Sequence, residues 1–176
     1  HKVAFVSEDR RGVGLLLNES IEQNIVFSAM QTNGRFLKKI GWFHLYDAAA
    51  AKVHATHMVE TLDIRCTGIG QAAGRLSGGN QQKIVIAKWL LNDPDIIILD
   101  EPTRGIDVGA KRDIYLLLGN LVRQGKAVIM ISSEIPELMG ICDRIMVMCE
   151  GNYSGEVSRE EFSQERIMTL ASAIKV

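Results

Sequence analysis

The feature that most constrains the fold is an apolar run that ends abruptly in two carboxylates. Ile96-Ile97-Ile98-Leu99 is followed directly by Asp100-Glu101-Pro102. A short, continuous apolar run with a polar end is typical of a strand buried inside a sheet. A second such run spans residues 127–131, and an amphipathic helical pattern over 107–124 lies between the two. This strand–helix–strand alternation predicts an α/β fold with a parallel sheet covered on both faces.

The rest of the chain divides by pattern. Residues 79–91 are apolar nearly all round a helix, which predicts a buried helix. Residues 15–74 show helical spacing over 20–30 and 47–62 and no persuasive strand, so we expect a helical insertion there. Toward the end, the pattern predicts a strand pair at 144–149 and 153–157 and a terminal helix over 159–173. Trp42-Phe43 and the methionines near the end are expected in the core.

Composition excludes several classes of protein. The chain has 176 residues with 20 basic and 21 acidic side chains, so no basic excess indicates a nucleic-acid partner. No apolar run approaches the roughly 20 residues that cross a bilayer. The three cysteines are odd in number and scattered, which favours a reducing cytosol over a disulfide framework.

The first segment that could carry a chemical function is Leu76-Ser77-Gly78-Gly79-Asn80-Gln81. Ser77 can cap the helix that follows, and the two glycines let backbone amides approach an anion closely. The free N–H groups and the positive end of the helix dipole would then favour a phosphate. Taken alone, such a segment is more often only a turn and a helix cap than an anion site.

The acidic pair at the end of the first apolar run is the second such segment. In nucleotide hydrolases, a carboxylate in the place of Asp100 holds Mg²⁺, often through water. The next carboxylate, here Glu101, can orient or deprotonate an attacking water. By itself, an acidic pair at a strand end can also be a solvated exit from the sheet.

Together, and in this order, the two segments resemble the ATP-binding-cassette (ABC) ATPases. The resemblance identifies residues 76–81 with the signature motif, 96–100 with the Walker B strand and Gly105-Ile106-Asp107 with the D-loop. It implies ATP and Mg²⁺ as ligands and Glu101 as the catalytic carboxylate. Nucleotide-binding residues are then expected at Glu8, Ser77, Gly78, Gly79, Gln81 and Asp107, and a water-mediated Mg²⁺ ligand at Asp100.

A finer resemblance is to the second cassette of the fused double-cassette subunit of ribose, xylose and galactose importers. It rests on residues 7–11, 76–83, 100–110, 131–137 and 143–148. It implies a P-loop NTPase (RecA-like) parallel-sheet core with a helical ABC subdomain inserted. The expected divisions are a core strand at 1–7, the helical subdomain at 8–75, and the signature helix with the rest of the core at 76–176.

The chain departs from the family pattern at three points. Its sequence contains no Gly-x-x-x-x-Gly-Lys-[Ser/Thr] phosphate loop, so we expect a cassette truncated before the Walker A loop and inactive alone. Glu8 stands where most cassettes carry glutamine, and Ser133 stands at the position of the switch histidine, where it would be the second catalytic residue. Serine is no proton carrier near neutral pH, so the site on this cassette's own face is expected to be weak.

These resemblances imply a part of a monosaccharide importer that couples ATP hydrolysis to uptake. The expected partners are a second cassette in the same parent chain, membrane permease subunits and, indirectly, a periplasmic or lipid-anchored sugar-binding protein. The expected location is the cytoplasmic face of the cell membrane. The alternative is a non-hydrolysing regulatory or structural cassette module that binds a partner protein. ATP turnover by the parent, with and without Glu101→Gln, distinguishes the two.

Overall fold

The computed structural model describes residues 2–172, and three of its strands form a parallel sheet. The strands are β1 (Val3–Val6), β2 (Leu37–Ile40), β3 (Phe43–Tyr46), β4 (Ile96–Asp100), β5 (Ala127–Ile131), β6 (Arg144–Cys149) and β7 (Asn152–Ser158). The helices are α1 (Ile21–Asn33), α2 (Ala48–Thr61), α3 (Gly78–Leu90), α4 (Val108–Arg123), α5 (Ile135–Ile141) and α6 (Gln164–Ala171). A π-helical turn at Arg10–Gly14 and 3₁₀ turns at Ala73–Arg75 and Arg159–Glu161 complete the described elements.

The order of the three-stranded sheet is β1-β4-β5, and all its pairs are parallel. Val6 pairs with Leu99, and Asp100 pairs with Ile131, so the carboxyl ends of all three strands meet at one edge. Helix α3 packs against β1 and α4 against β5. The predicted parallel sheet with helices is therefore confirmed.

The expectation that both faces of this sheet are covered is wrong for the described residues. Ala4, Val6, Ile97 and Leu99 on one face are buried, whereas side chains on the other face, such as Val3 and Phe5, are about half exposed. A continuous apolar run shows that both faces can be buried. It does not show that the covering elements lie within residues 2–172.

Residues 15–74 are not purely helical, which corrects the predicted insertion. β2 and β3 form an antiparallel hairpin in which Leu37 pairs with Tyr46 and Ile40 with Phe43. Trp42 and Phe43, expected in the core, are exposed at the end of this hairpin. Helices α1 and α2 flank the hairpin in sequence, and α1 packs against both α2 and α3.

The chain separates into two compact units, one ending at Ile131 and one beginning at Ser132. In the second unit, α5 and α6 accompany the β6–β7 hairpin around a small core of Ile145, Val147, Val157 and Ile167. Its terminal helix begins at Gln164 with Ser163 as its cap, later than predicted; residue 173, its predicted end, lies outside the described residues. The expected division into a core strand at 1–7, a helical subdomain at 8–75 and the signature helix with the rest of the core at 76–176 stays a prediction.

None of the helices in the described part of the chain is both long and apolar enough to cross a membrane. Of the methionines near the end that were expected in the core, Met139 packs against the core of the second unit, whereas Met146, Met148 and Met168 are about half exposed.

Candidate functional site

The start of α3 carries an oriented chain of hydrogen bonds that ends on an exposed hydroxyl. The backbone N–H of Arg65 donates to Asn80 Oδ1 at 2.9 Å, and Asn80 Nδ2 donates to Ser77 Oγ at 2.9 Å. Because a backbone N–H can only donate, it fixes which end of the Asn80 amide faces Ser77. Ser77 therefore accepts in this bond, and its own proton can be donated elsewhere.

Ser77 occupies the N-cap position of α3, with extended backbone angles, but its side chain makes no cap hydrogen bond to the helix backbone. The residue is exposed. The first amides of the helix are thus not satisfied by the usual serine cap, and the helix dipole places partial positive charge beside them. Hydroxyl and amides together form a set of donors suited to an anion.

Arg10 adds a full positive charge beside the start of α3, and we did not predict it as a site residue from the sequence. A side chain at position 78 would lie 3.4 Å from Arg10 Nη2, so the guanidinium lies beside the first turn of α3. Among the described residues, no acceptor reaches the buried Arg10 Nε. Burial, and secondarily Arg11, lowers the pKa of Arg10. A cation beside a helix N-terminus is unfavourable unless an anion joins it, and the Arg10-Arg11 pair after β1 was the available signal.

The two glycines of the motif allow close packing against the segment that precedes and begins α4. A Cβ at position 78 would lie 3.2 Å from the carbonyl oxygen of Gly105. A Cβ at position 79 would lie 2.4 Å from Cβ of Ala110, closer than real carbon contacts. From the sequence, we expected these glycines to let backbone amides approach a phosphate. The structure shows that they also let α3 meet the predicted D-loop and the first turn of α4.

Gln81 does not lie at the exposed end of the helix, although it was expected to contact nucleotide. Its side chain is buried, and the residue is 2% exposed. Its Nε2 donates to the carbonyl of Leu76 at 3.1 Å, with longer contacts to Ala73 and Gly74. The side chain therefore holds the loop before α3, and the nucleotide contact expected for Gln81 stays a prediction.

Asp107 is the N-cap of α4, and its Oδ1 accepts a hydrogen bond from the Ala110 amide at 2.9 Å. It also lines a cavity of about 400 Å³ beside the start of α3. Lys83 lines the same cavity, is 5% exposed, and pairs with Asp113 at 3.0 Å. Three residues of the signature motif also line the cavity: Ser77, Gly79 and Asn80. Arg65 and Arg112 line it as well and add two cations.

The predicted acidic residues stand at or just after the carboxyl ends of neighbouring strands. Glu8 follows β1 by two residues, while Asp100 ends the neighbouring β4 and is half-buried. Glu8 Oε2 accepts a hydrogen bond from Arg104 Nη1 at 2.7 Å. Both partners are largely exposed, so this ion pair contributes little to stability. It does hold the Glu8 side chain against the segment that follows β4.

Glu101 has an unusual backbone conformation. Its φ is +45°, in the left-handed region that residues other than glycine rarely adopt. Its N–H donates to the Ile131 carbonyl at 2.9 Å, which holds the turn at the end of β4 against the end of β5. Such conformations cost about 1–3 kcal/mol and cluster at functional sites, so this turn is a candidate for chemistry.

Ser133, the expected second catalytic residue, lies at the start of the second unit. The neighbouring Ser132 Oγ accepts from the Glu134 amide at 3.0 Å and contacts Glu137 Oε2 at 3.3 Å. These bonds shape the turn before α5. The catalytic role of Ser133 stays a prediction.

Comparisons with known proteins show what the chain is similar to. A sequence model of the family described as "ABC transporter" matches residues 1–104. The chain is 48% identical over 168 residues to an L-arabinose transport ATP-binding protein of Geobacillus stearothermophilus, covering 96% of this chain and 31% of that protein. It is 47% identical over 171 residues to a ribose import ATP-binding protein of Clostridium tetani, covering 97% of this chain and 33% of that protein. It thus spans about a third of the length of these relatives.

Solved structures show the same fold. One is a dimeric ATP-binding cassette in a post-hydrolysis state with bound ADP and Pi, with a TM-score of 0.70 and 23% identity over 92% of this chain and 64% of that one. Another is an ABC transporter in an inward-facing conformation, with a TM-score of 0.75 and 20% identity over 96% of this chain and 63% of that one. The parallel sheet, the arrangement around α3 and the match over residues 1–104 lead to one conclusion: the chain belongs to the ABC transporter family.

Proposed function

We propose that this chain is part of the nucleotide-binding domain of an ABC-type monosaccharide importer, in which ATP hydrolysis is coupled to sugar uptake. The observation that carries the proposal is the 46–50% identity, over nearly the whole chain, to ATP-binding proteins of arabinose, ribose and xylose import. Its partners would be a second cassette, membrane permease subunits and, through them, a sugar-binding protein. It would act at the cytoplasmic face of the membrane.

The chain's main contribution would be its signature motif, donated to ATP held on the second cassette. Ser77 Oγ already accepts a hydrogen bond from Asn80 Nδ2, so its own proton would be donated to the terminal phosphate. The amides of Gly78 and Gly79 would add donors, and Arg10 would add charge. These groups are fixed before the nucleotide arrives, so little reorganisation is needed during the reaction.

The chain's own carboxylates at the end of β4, Asp100 and Glu101, would contribute less to ATP turnover. Asp100 is a half-buried carboxylate at a strand end, an oxygen donor of the kind that Mg²⁺ prefers, and would hold the ion through water. Bound Mg²⁺ would neutralise phosphate charge. Glu101 would orient the attacking water. Glu8, engaged with Arg104, and Ser133, which cannot shuttle protons near neutral pH, both favour slow turnover on this face.

Ser77→Ala in the reconstituted parent importer tests this division of roles. Loss of a donor to a transferring phosphoryl group is expected to lower steady-state ATP turnover about a hundredfold. Ser163→Ala is the matched control, because Ser163 is also a helix N-cap and accepts from the Arg166 amide. Unchanged turnover in Ser77→Ala, or an equal loss in the control, would contradict the proposed role.

A further inference from the structure

Two short segments that follow neighbouring strands are joined by an ion pair. One is residues 8–10, after β1, and the other is residues 104–106, after β4. Glu8 Oε2 in the first segment accepts a hydrogen bond from Arg104 Nη1 in the second at 2.7 Å. Both side chains are about half exposed or more, so the pair contributes little to the stability of the fold. It does fix the two segments to each other.

Both segments also lie beside the first turn of α3, at Gly78. A Cβ at that position would lie 3.2 Å from the Gly105 carbonyl oxygen and 3.4 Å from Arg10 Nη2. Gly105 is next to Arg104 in the chain, and Arg10 is two residues from Glu8. The ion pair therefore joins the two segments within two residues of the places where they approach the signature motif.

The turn that carries Arg10 is held at its other end by α3. The N–H of Gly14 donates to the Asp9 carbonyl at 2.9 Å, which closes the π-helical turn. The Gly14 carbonyl accepts a hydrogen bond from Lys88 Nζ at 3.2 Å, and Lys88 belongs to α3. Arg10 thus lies between two anchors, the ion pair on one side and α3 on the other, and its position depends on both.

Arg10 carries a buried polar atom that has no partner. Among the residues that the structure describes, no acceptor reaches its Nε. Burial, and secondarily the charge of Arg11, lowers the pKa of its guanidinium. The positive end of the α3 dipole repels a cation as well. An anion at the signature motif would offset both effects, and its hydrogen bonds with the guanidinium would be charge-assisted and strong.

We propose that the ion pair of Glu8 with Arg104 positions Arg10 for the terminal phosphate that also meets Ser77. The role rests on the proposed function, in which the signature motif is donated to ATP on the second cassette. Arg10 contacts the phosphate, whereas Glu8 and Arg104 are positioning residues that act through Arg10. Glu8 then serves the nucleotide of the second cassette and not one on the chain's own face.

Steady-state kinetics of the reconstituted parent importer test this role. Arg10→Gln should lower kcat about a hundredfold, because a charged donor to the transferring phosphoryl group is lost. Glu8→Gln and Arg104→Gln should each lower kcat about tenfold, because a group displaced by less than about 1 Å loses part of its effect. KM for Mg-ATP should change little, because the second cassette holds the nucleotide. Arg104→Lys keeps the ion pair and should keep most of the activity.

Double variants separate positioning from an independent role. Glu8→Gln with Arg104→Gln should lose no more than either single variant, and Glu8→Gln with Arg10→Gln no more than Arg10→Gln alone. Glu156→Gln is the matched control, because it breaks an ion pair with Arg144 of 3.0 Å and similar exposure in the β6–β7 hairpin. It should leave kcat unchanged. The urea midpoint of Glu8→Gln should also stay unchanged, since exposed ion pairs stabilise little.

Three results would overturn the proposal. Unchanged kcat in Arg104→Gln would mean that the ion pair positions nothing. A loss in Glu8→Gln that adds fully to that of Arg10→Gln would assign Glu8 to a nucleotide on the chain's own face. A large fall in the urea midpoint would make the ion pair a stabilising contact only. Full turnover in Ser77→Ala would instead refute the proposed function, on which the positioning role rests.

Discussion

Replacing Gly79 with alanine tests how the start of α3 is held against α4. The new methyl carbon would lie 2.4 Å from Cβ of Ala110, while the next nearest atom, Cα of Ala110, is at 3.7 Å. Carbon atoms pack best at about 3.5–4.0 Å, so the two helices would have to separate locally by about 1 Å. Overpacking of this kind costs about 1–3 kcal/mol. Alanine's better helix propensity returns up to about 1 kcal/mol. We expect the free energy of unfolding to fall by about 1–2 kcal/mol in net.

Ala110→Gly should rescue this variant. Alone it loses helix propensity, at a cost of up to about 1 kcal/mol. Combined with Gly79→Ala, it removes the atom that clashes and leaves only the ordinary contact at 3.7 Å. The double variant should therefore be close to the wild type in stability, with a favourable coupling energy of about 1–3 kcal/mol between the two sites.

The assay is urea unfolding of the four chains, compared by midpoint and slope. Gly119→Ala is the matched control, because Gly119 lies within α4 and an added Cβ there would meet no atom within 4 Å. It should stabilise the chain by up to about 1 kcal/mol. If Gly79→Ala is as stable as the wild type, or if the double variant loses the sum of the two single losses, the close approach of α3 and α4 is refuted.

Three further predictions concern single side chains. Asn80→Asp should reduce parent ATP turnover more than Asn80→Ala, because a carboxylate accepts from Ser77 and turns its proton away from the phosphate; equal losses would contradict this. Lys83→Met should lower the free energy of unfolding in urea by about 1–3 kcal/mol, because two part-buried hydrogen bonds from the ammonium are lost, and an unchanged midpoint would contradict this. The hydrogen bond from Lys126 lowers the pKa of Asp93 in the folded chain. The ionised carboxylate therefore stabilises the fold above pH about 4, the pKa of an unfolded aspartate, and this stabilisation is lost as the pH falls through the lower pKa of the folded state. Asp93→Asn should remove that part of the acid dependence of stability, and identical acid profiles would refute it.

Sequence patterns predicted the central elements because their periodicity is strong. β4, β5, α3 and α4 each lie within one residue of their expected bounds. The hairpin was missed because Lys38 and Lys39 interrupt its alternation, and aromatic residues such as Trp42 are usually buried. A sequence pattern shows how apolar a residue is, but it does not show whether another part of the protein packs against that residue.

The candidate site was predicted in part. The segments that form it were found, since glycines and carboxylates stand at fixed places relative to a helix start and a strand end. Their contacts were not, because the hydrogen bond from Arg65 to Asn80 and the packing of Gly79 on Ala110 join residues 15 and 31 positions apart in the sequence. Gln81 shows the same limit, since its position in the motif does not reveal that its side chain points inward.

Two variants of the reconstituted parent importer show whether this chain mainly donates its signature motif to another cassette. The measurement is steady-state ATP turnover of Ser77→Ala and Glu101→Gln. We expect a loss of about a hundredfold in Ser77→Ala and a clearly smaller loss in Glu101→Gln, because we propose that Glu101 serves the weaker site. A loss in Glu101→Gln equal to or larger than that in Ser77→Ala would contradict this, since turnover would then depend on the chain's own carboxylates at the end of β4.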